Sequence, residues 1–255
     1  MTNDFILNTV VKTFRVLEFL SESESTYTLT KLAKILKISM GTAQRITNTL
    51  IQLKYLSKDP ETKTFRLTSK WLRIGFSVLQ DLNLRKIAFP HLKKLNEETN
   101  ETVSLGLIDN DEVIFIERIA TKHLITTNIS PGMRRPIHAN SIGKAILAFQ
   151  DEDQIKERLN HIQFTKYTNK TIVDKDKFYA ELKKIKKNGY SINDGEIEKE
   201  IFAIGVPILN NNGVAIAGIN LVIPKARFSK SIVYEKYLPV IIEKGILISK
   251  AIGNY

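Results

Sequence analysis

Gln44, Arg45 and Asn48, flanked by Gly41 and Gln52, recur at the spacing that gathers side chains on one side of a helix. Such a row suits the reading of base-pair edges. Glutamine can pair with adenine, arginine can reach guanine or a phosphate, and Thr42 and Asn48 can contact either backbone or base. Further on, Lys63 and Arg66 offer charge for phosphates or a minor groove. A second group begins at Asn140, which can cap a helix opening with Ser141, Ile142 and Gly143. Free backbone N–H groups at such an opening make an anion site suited to a carboxylate, and Gly143 would let a ligand or strand come close. On spacing alone the plainer account is favoured, in which Gly143 serves helix–sheet packing and water meets the N–H groups. Catalysis has no visible constellation. His91, His123, His138 and His161 lack the spacing of a metal motif, and there is no nucleophile elbow or phosphate loop. His138 reads better as an imidazole bonded to backbone than as a ligand or catalyst.

These residues need elements to hold them. Val10, Val11, Phe14 and Leu17 mark a first amphipathic helix over Asn8 to Ser21. Thr30 is expected to cap a second helix with Leu29, Leu32, Ala33 and Leu36 inward, and Ser39 a third with Ala43, Ile46, Leu50 and Leu53 inward. The turn formers Asp59, Pro60, Glu61 and Thr62 then separate two short strands, a hairpin or wing. Helical pattern resumes from Ser69 to about Thr99, with Pro90 expected to break it. Strands are expected over Glu101 to Asp109, Glu112 to Ala120 and Leu124 to Ile129. Helices follow near Ser141, Glu152 to Leu159 and Asp174 to Asn188. Strands return over Tyr190 to Asn193, Phe202 to Leu209 and Val214 to Ile223, the last two joined by Asn210, Asn211, Asn212 and Gly213. A helix over Ser231 to Ile252 closes the chain. This order predicts an α+β fold, an antiparallel sheet with helices packed on it.

Composition narrows the partners. The chain has 255 residues and a net charge of +11, and residues 1–75 carry +6 of it, so nucleic acid is the first candidate partner. The absence of cysteine excludes disulfides, thiolate metal sites and a cysteine nucleophile. No signal-peptide pattern or apolar run of about 18 residues is present, which makes the cytoplasm the expected compartment and a membrane partner unexpected. The helical stripes of residues 8–53 would also suit a small bundle with Arg45 and Lys63 merely solvated. The hairpin after the third helix favours the nucleic-acid reading, because bundles rarely need a wing.

Several stretches, in order, resemble the IclR family of transcription regulators: Ser39–Arg45, Tyr55–Leu67, His138–Ala148, Gly189–Asp194 and Ala203–Pro207. The resemblance implies a winged helix-turn-helix over residues 1–73, a linker helix over 74–88, and a GAF-like or profilin-like domain over 89–255 that binds an effector and oligomerises. It implies DNA contacts by Thr42, Gln44, Arg45, Asn48, Lys63 and Arg66. It also turns the reading of Asn140–Gly143 toward a ligand site, lined by Ser141, Ile142, Gly143, Asn193, Asp194, Ala203, Asn220 and Val222. A homodimer, or dimer of dimers, on a near-palindromic operator would follow. A small organic or aromatic acid would be the effector, with no cofactor and no metal site.

The chain departs from the family pattern in places. Lys37 stands where a turn glycine is common, at roughly 1 kcal/mol if that residue must take positive φ. Gly41 stands where serine or threonine is frequent, and Asn220 and Val222 replace small hydroxyl residues. Arg135 replaces an apolar residue and is expected to face water rather than supply a guanidinium to the ligand. Two rival functions remain at this level: a DNA-binding dimer whose larger domain is purely structural, and an enzyme acting on a small molecule.

Overall fold

Helical spacing in the first third of the chain does become helix, though not always with the expected stripe inward. The computed structural model describes residues 6–22, 26–81, 83–121 and 130–253. Helix α1 (Asn8–Glu22) buries Val16 and Leu17, while Val10, Val11 and Phe14 are 47%, 42% and 53% exposed. The expected stripe is thus corrected, with only Leu17 of its members in the core. Apolar residues occupy more than one side of α1, and periodicity does not tell which side meets the neighbouring helix.

Strand β1 (Tyr27–Thr28) runs straight into α2 (Leu29–Ile35). Thr28 takes the cap position without a side-chain bond, so Thr30 lies inside the helix and is not its cap. The turn that follows places Lys37 at φ 51°, a conformation in which Cβ crowds the backbone. Lys37→Gly is expected to stabilise this unit by roughly 0.5–1 kcal/mol, the relief of strain being partly offset by glycine's extra freedom when unfolded. Trp71 is the chain's single tryptophan, so a denaturant titration followed by its fluorescence reads this change. An unchanged or lower midpoint would show that the turn carries no such strain.

Helix α3 (Met40–Gln52) is capped by Ser39, whose Oγ accepts the N–H of Thr42 at 3.2 Å. It buries Ala43, Ile46, Thr47 and Leu50, but Leu53, expected inward, ends the helix 49% exposed. Thr47 survives in the core because its hydroxyl donates to the carbonyl of Ala43 at 2.9 Å. Strands β2 (Leu56–Lys58) and β3 (Thr64–Leu67) form the wing, and β1 joins the other edge of β3. In α4 (Lys70–Asp81), Trp71 packs on Tyr55 with ring centroids 4.5 Å apart and donates Nε1–H to the Tyr55 carbonyl at 3.0 Å.

Residues 1–81 and 82–255 are separate compact units. The second opens with α5 (Asn83–Thr99), which holds Pro90 inside it. The break expected at the proline is therefore absent from this helix. Burial of Ala88, Leu92 and Leu95 on either side of Pro90 holds the helix together across the hydrogen bond that proline cannot donate. Strands β4 (Thr102–Asp109) and β5 (Glu112–Ile119) form the first hairpin. The strand expected over Leu124 to Ile129 lies outside the described residues. Arg134–Pro136, where the sequence led to no expected strand, is the short edge strand β6. A 3-10 turn (Ile137–Ala139) leads to α6 (Ser141–Ala148), then α7 (Glu152–His161) and α8 (Lys175–Asn188). Strands β7 (Ser191–Asp194), β8 (Ile201–Leu209) and β9 (Ala215–Pro224) and helix α9 (Leu238–Gly253) complete the unit.

The sheet is antiparallel in the order β6-β5-β4-β9-β8-β7, and the whole is an α+β fold. All eight residues of α6 are buried. Directly opposed residues share a sheet face, so two rows cross beneath α6: Ser191, Gly205, Asn220 and Ser104, and Asn193, Ala203, Val222 and Thr102. No helix among the described residues is long and apolar enough to cross a membrane.

Candidate functional sites

On α3, Gln44, Arg45 and Asn48 are exposed together on the side away from Ala43, Ile46 and Leu50. Thr42 is half-buried and its hydroxyl shares a 2.9 Å hydrogen bond with that of Ser39, so it supports the helix opening as well as facing outward. Arg66 is exposed on β3, opposite Ser57. Lys63 is exposed at the wing tip at φ 57°, its Nζ donating to the Pro60 carbonyl at 2.6 Å. The same tip is held by Asp59, whose Oδ1 accepts the N–H of Glu61 at 2.9 Å and of Thr62 at 2.8 Å. Hydrogen bonds from the Thr62 N–H and hydroxyl, then the Glu61 N–H, hold the Asp59 carboxyl below its ordinary range.

The second site is a small, partly open pocket of about 50 Å³ lying over the two rows beneath α6. Of the eight residues expected there, Ser141, Asn193, Ala203, Asn220 and Val222 line it. Ile142, Gly143 and Asp194 do not, and each has a physical reason. Ile142 is buried among Val113, Phe115 and Ile146. A Cβ on Gly143 would lie 2.6 Å from the Ile137 carbonyl oxygen, so this glycine permits contact with protein backbone and not with a ligand. The N–H groups of Ile142 and Gly143 donate to Oδ1 of Asn140, at 2.9 and 3.3 Å. The expected anion site at this helix opening is thereby corrected: the protein's own amide occupies two of its donors. Asp194 pairs with Lys170 at 2.6 Å and Lys225 at 2.7 Å. Partial burial pushes its carboxyl up, but these lysines outweigh that and hold it below its ordinary value.

Arg135, expected to face water, instead lines the pocket with its side chain 26% exposed, 3.5 Å from Glu198. Ile197 and Glu198 come from the segment between β7 and β8, Ile201 from the start of β8 and Phe115 from β5. No motif or periodicity marked them. Behind the pocket, Asn193 Nδ2 donates to the Ala139 carbonyl and its Oδ1 accepts the Glu196 N–H at 3.0 Å. Lys144, fully buried in α6, donates to the Ile192 carbonyl at 2.6 Å and pairs with the buried carboxylate of Glu196. Burial pushes the Glu196 carboxyl up, with Lys144 pulling against it.

His138 is 1% exposed, its Nε2 3.0 Å from the Thr165 carbonyl and its ring edge-on to Phe164 at 5.4 Å. Among the described residues no cluster of three or more acidic or histidine side chains could hold a metal ion. Burial, with a smaller push from Lys144 against the Thr165 carbonyl, lowers the imidazole below its ordinary 6.5. The unfolded chain therefore binds this proton more readily than the folded one. The stability it gives is present above pH 6.5 and lost as the pH falls through the folded value. The melting temperature is expected to drop between about pH 7 and about pH 5.5, and less steeply in His138→Gln, whose amide can still donate to Thr165. Equal slopes in the two proteins would remove His138 as the source.

A recognition helix with a wing, joined in one chain to a unit with a small pocket of mixed apolar and polar lining, is the plan of a DNA-binding regulator with an effector-binding domain. The model of the bacterial transcriptional regulator IclR C-terminal domain matches residues 76–249, and that of the IclR helix-turn-helix domain matches residues 9–60. The chain belongs to the IclR family of transcription regulators. It is 30% identical to the HTH-type transcriptional regulator KdgR of Escherichia coli over 224 residues, 88% of this chain and 85% of that one. The crystal structure of Thermotoga maritima IclR superimposes with a TM-score of 0.77 at 30% identity, covering 96% of this chain and 99% of that one. An IclR homologue from Microbacterium hydrocarbonoxydans, complexed with 4-hydroxybenzoate, shares the fold at a TM-score of 0.81 and 22% identity, covering 97% of this chain and all of that one.

Proposed function

We propose that this regulator binds its operator through α3 and the wing, and that a small organic or aromatic carboxylate held in the pocket modulates that binding. The observation that carries the reading is a partly buried guanidinium, Arg135, paired with Glu198 at the edge of a cavity otherwise lined by apolar, amide and hydroxyl side chains. A guanidinium fork suits a carboxylate, which it can hold through two parallel hydrogen bonds. Ser141, Asn193, Ala203, Asn220 and Val222 would complete the contacts. Room for about three water molecules is too little for such an acid, so entry requires Ile197 and Glu198 to yield. That motion would part Glu198 from Arg135 and leave the guanidinium for the incoming carboxylate. The 4-hydroxybenzoate held by the Microbacterium homologue supports this ligand class.

In this reading residues 1–73 form the DNA-binding head, 74–88 the linker and 89–255 the effector and oligomerisation domain of a cytoplasmic protein that performs no catalysis. A homodimer, or a pair of dimers, would set two α3 helices in successive major grooves of a near-palindromic site. Effector binding would shift the linker and with it the preferred spacing of the heads.

Fluorescence anisotropy with labelled duplexes from the DNA beside the gene, with and without a panel of small acids, tests the proposal. Arg45→Ala is expected to cost about 1–3 kcal/mol in operator affinity, roughly 5- to 150-fold, and to narrow the gap to scrambled DNA. Unchanged affinity for both duplexes would discard Arg45 as a base reader. Failure of every duplex to bind at low salt would sink the regulatory reading itself.

A further inference from the structure

Asn220 is an odd residue for its place. It sits in the middle of β9 beneath α6, is 3% exposed, and lines the pocket. Its Nδ2 donates to Ser141 Oγ at 3.3 Å, and its Oδ1 has no hydrogen-bond partner among the described residues. A buried acceptor left unmade destabilises the protein, and native structures keep few of them without a use. Ser104 lies opposite on β4, and Arg135, Asn140, Ser141 and Asn193 share the pocket, but none of them donates to this oxygen. Gly205, directly opposite on β8, has no side chain, and Phe115, Ile197, Ile201, Ala203 and Val222 are apolar.

We infer that the pocket selects hydroxylated carboxylic acids, with a ligand hydroxyl donating to the side-chain carbonyl of Asn220. The inference rests on the pocket reading above and adds to it the identity of a second functional group on the ligand. A hydroxyl fits better than an ammonium group, because the Arg135 guanidinium and the Glu198 carboxylate in the lining offset one another and leave no net negative charge to hold a cation. The geometry also divides the work. Arg135 draws in any small anion, whereas Asn220 rewards only a donor in the right place, so Asn220 sets specificity.

The test uses the full chain and matched probes: 4-hydroxybenzoate against benzoate, lactate against propionate, and 4-hydroxybutyrate against butyrate, each by titration calorimetry. In any pair that binds, the hydroxylated acid is expected to bind roughly 10- to 100-fold more tightly, the effect of one buried hydrogen bond. Asn220→Val, β-branched and suited to a strand, should shrink that ratio to within about threefold by weakening the hydroxylated member alone. The wild-type ratios stand without any variant. Deoxy acids that bind as tightly as their hydroxylated partners would overturn the inference and leave the pocket reading intact. No binding by any probe up to about 10 mM, tenfold weaker than a millimolar site, would overturn both.

Discussion

Lys144→Ala is expected to destabilise the second unit by about 3–5 kcal/mol, because it strands the Glu196 carboxylate in a site that excludes water. The size follows from asymmetry. An intact buried pair contributes little net stability, since desolvating two charges offsets their attraction, but removal of one partner leaves the other with no compensation. The carbonyl of Ile192 would lose its donor in the same step. A Lys144→Met, Glu196→Leu double variant should recover most of the loss, and calorimetric unfolding of the three proteins would show it. A loss below about 1 kcal/mol in the single variant would mean that water reaches Glu196 and that the pair is not closed off.

Gly205→Ala is expected to cost about 3 kcal/mol, at the upper end for overpacking, and to abolish ligand binding with it. A Cβ at this position would lie 2.6 Å from the Ser141 carbonyl carbon and 2.7 Å from Ser191 Oγ. The first neighbour is backbone and cannot swing aside. The second is tied down, since Ser191 Oγ donates to the Ser141 carbonyl. Helix α6 would have to lift from the sheet, carrying Ser141 away from Asn220. The unfolding midpoint of the second unit should fall while the Trp71 fluorescence transition of the first stays in place. Wild-type stability in Gly205→Ala would show that α6 has slack against β8.

Which parts of this arrangement the sequence reveals depends on how far apart the cause and the effect lie along the chain. Ser39 acts within three residues of itself, and its capping role was legible. So was the hairpin at Asn210 to Gly213, where Gly213 takes φ 73°. Strand β6 pairs with β5 across a long excursion, and nothing in Arg134–Pro136 announces it. The buried face of α1 needed knowledge of its neighbour, since Phe14 is as apolar as Leu17 yet lies outside. Polar residues that survive in the core, such as Thr47, depend on a specific acceptor that periodicity does not show.

The pocket was legible in part. Ser141, Asn193, Ala203, Asn220 and Val222 lie on regular elements and were reached through the family resemblance, whereas Ile197 and Glu198 come from an irregular segment that neither resemblance nor pattern marked. Lys144 and Glu196 are far apart in sequence, and only the fold makes them partners. At Asn140 the sequence held the answer in a form easily missed. An asparagine that caps a helix uses the N–H groups of its first turn, so those donors cannot also be free for a ligand.

The wing tip bears on the timing of recognition. With Asp59 gripping two amides and Lys63 tethered to its own turn, the loop reaches a duplex already shaped. A contact made by a rigid finger forfeits little freedom on arrival. Sequence preference in this regulator should therefore be felt mainly in how long a complex survives and only weakly in how quickly it forms.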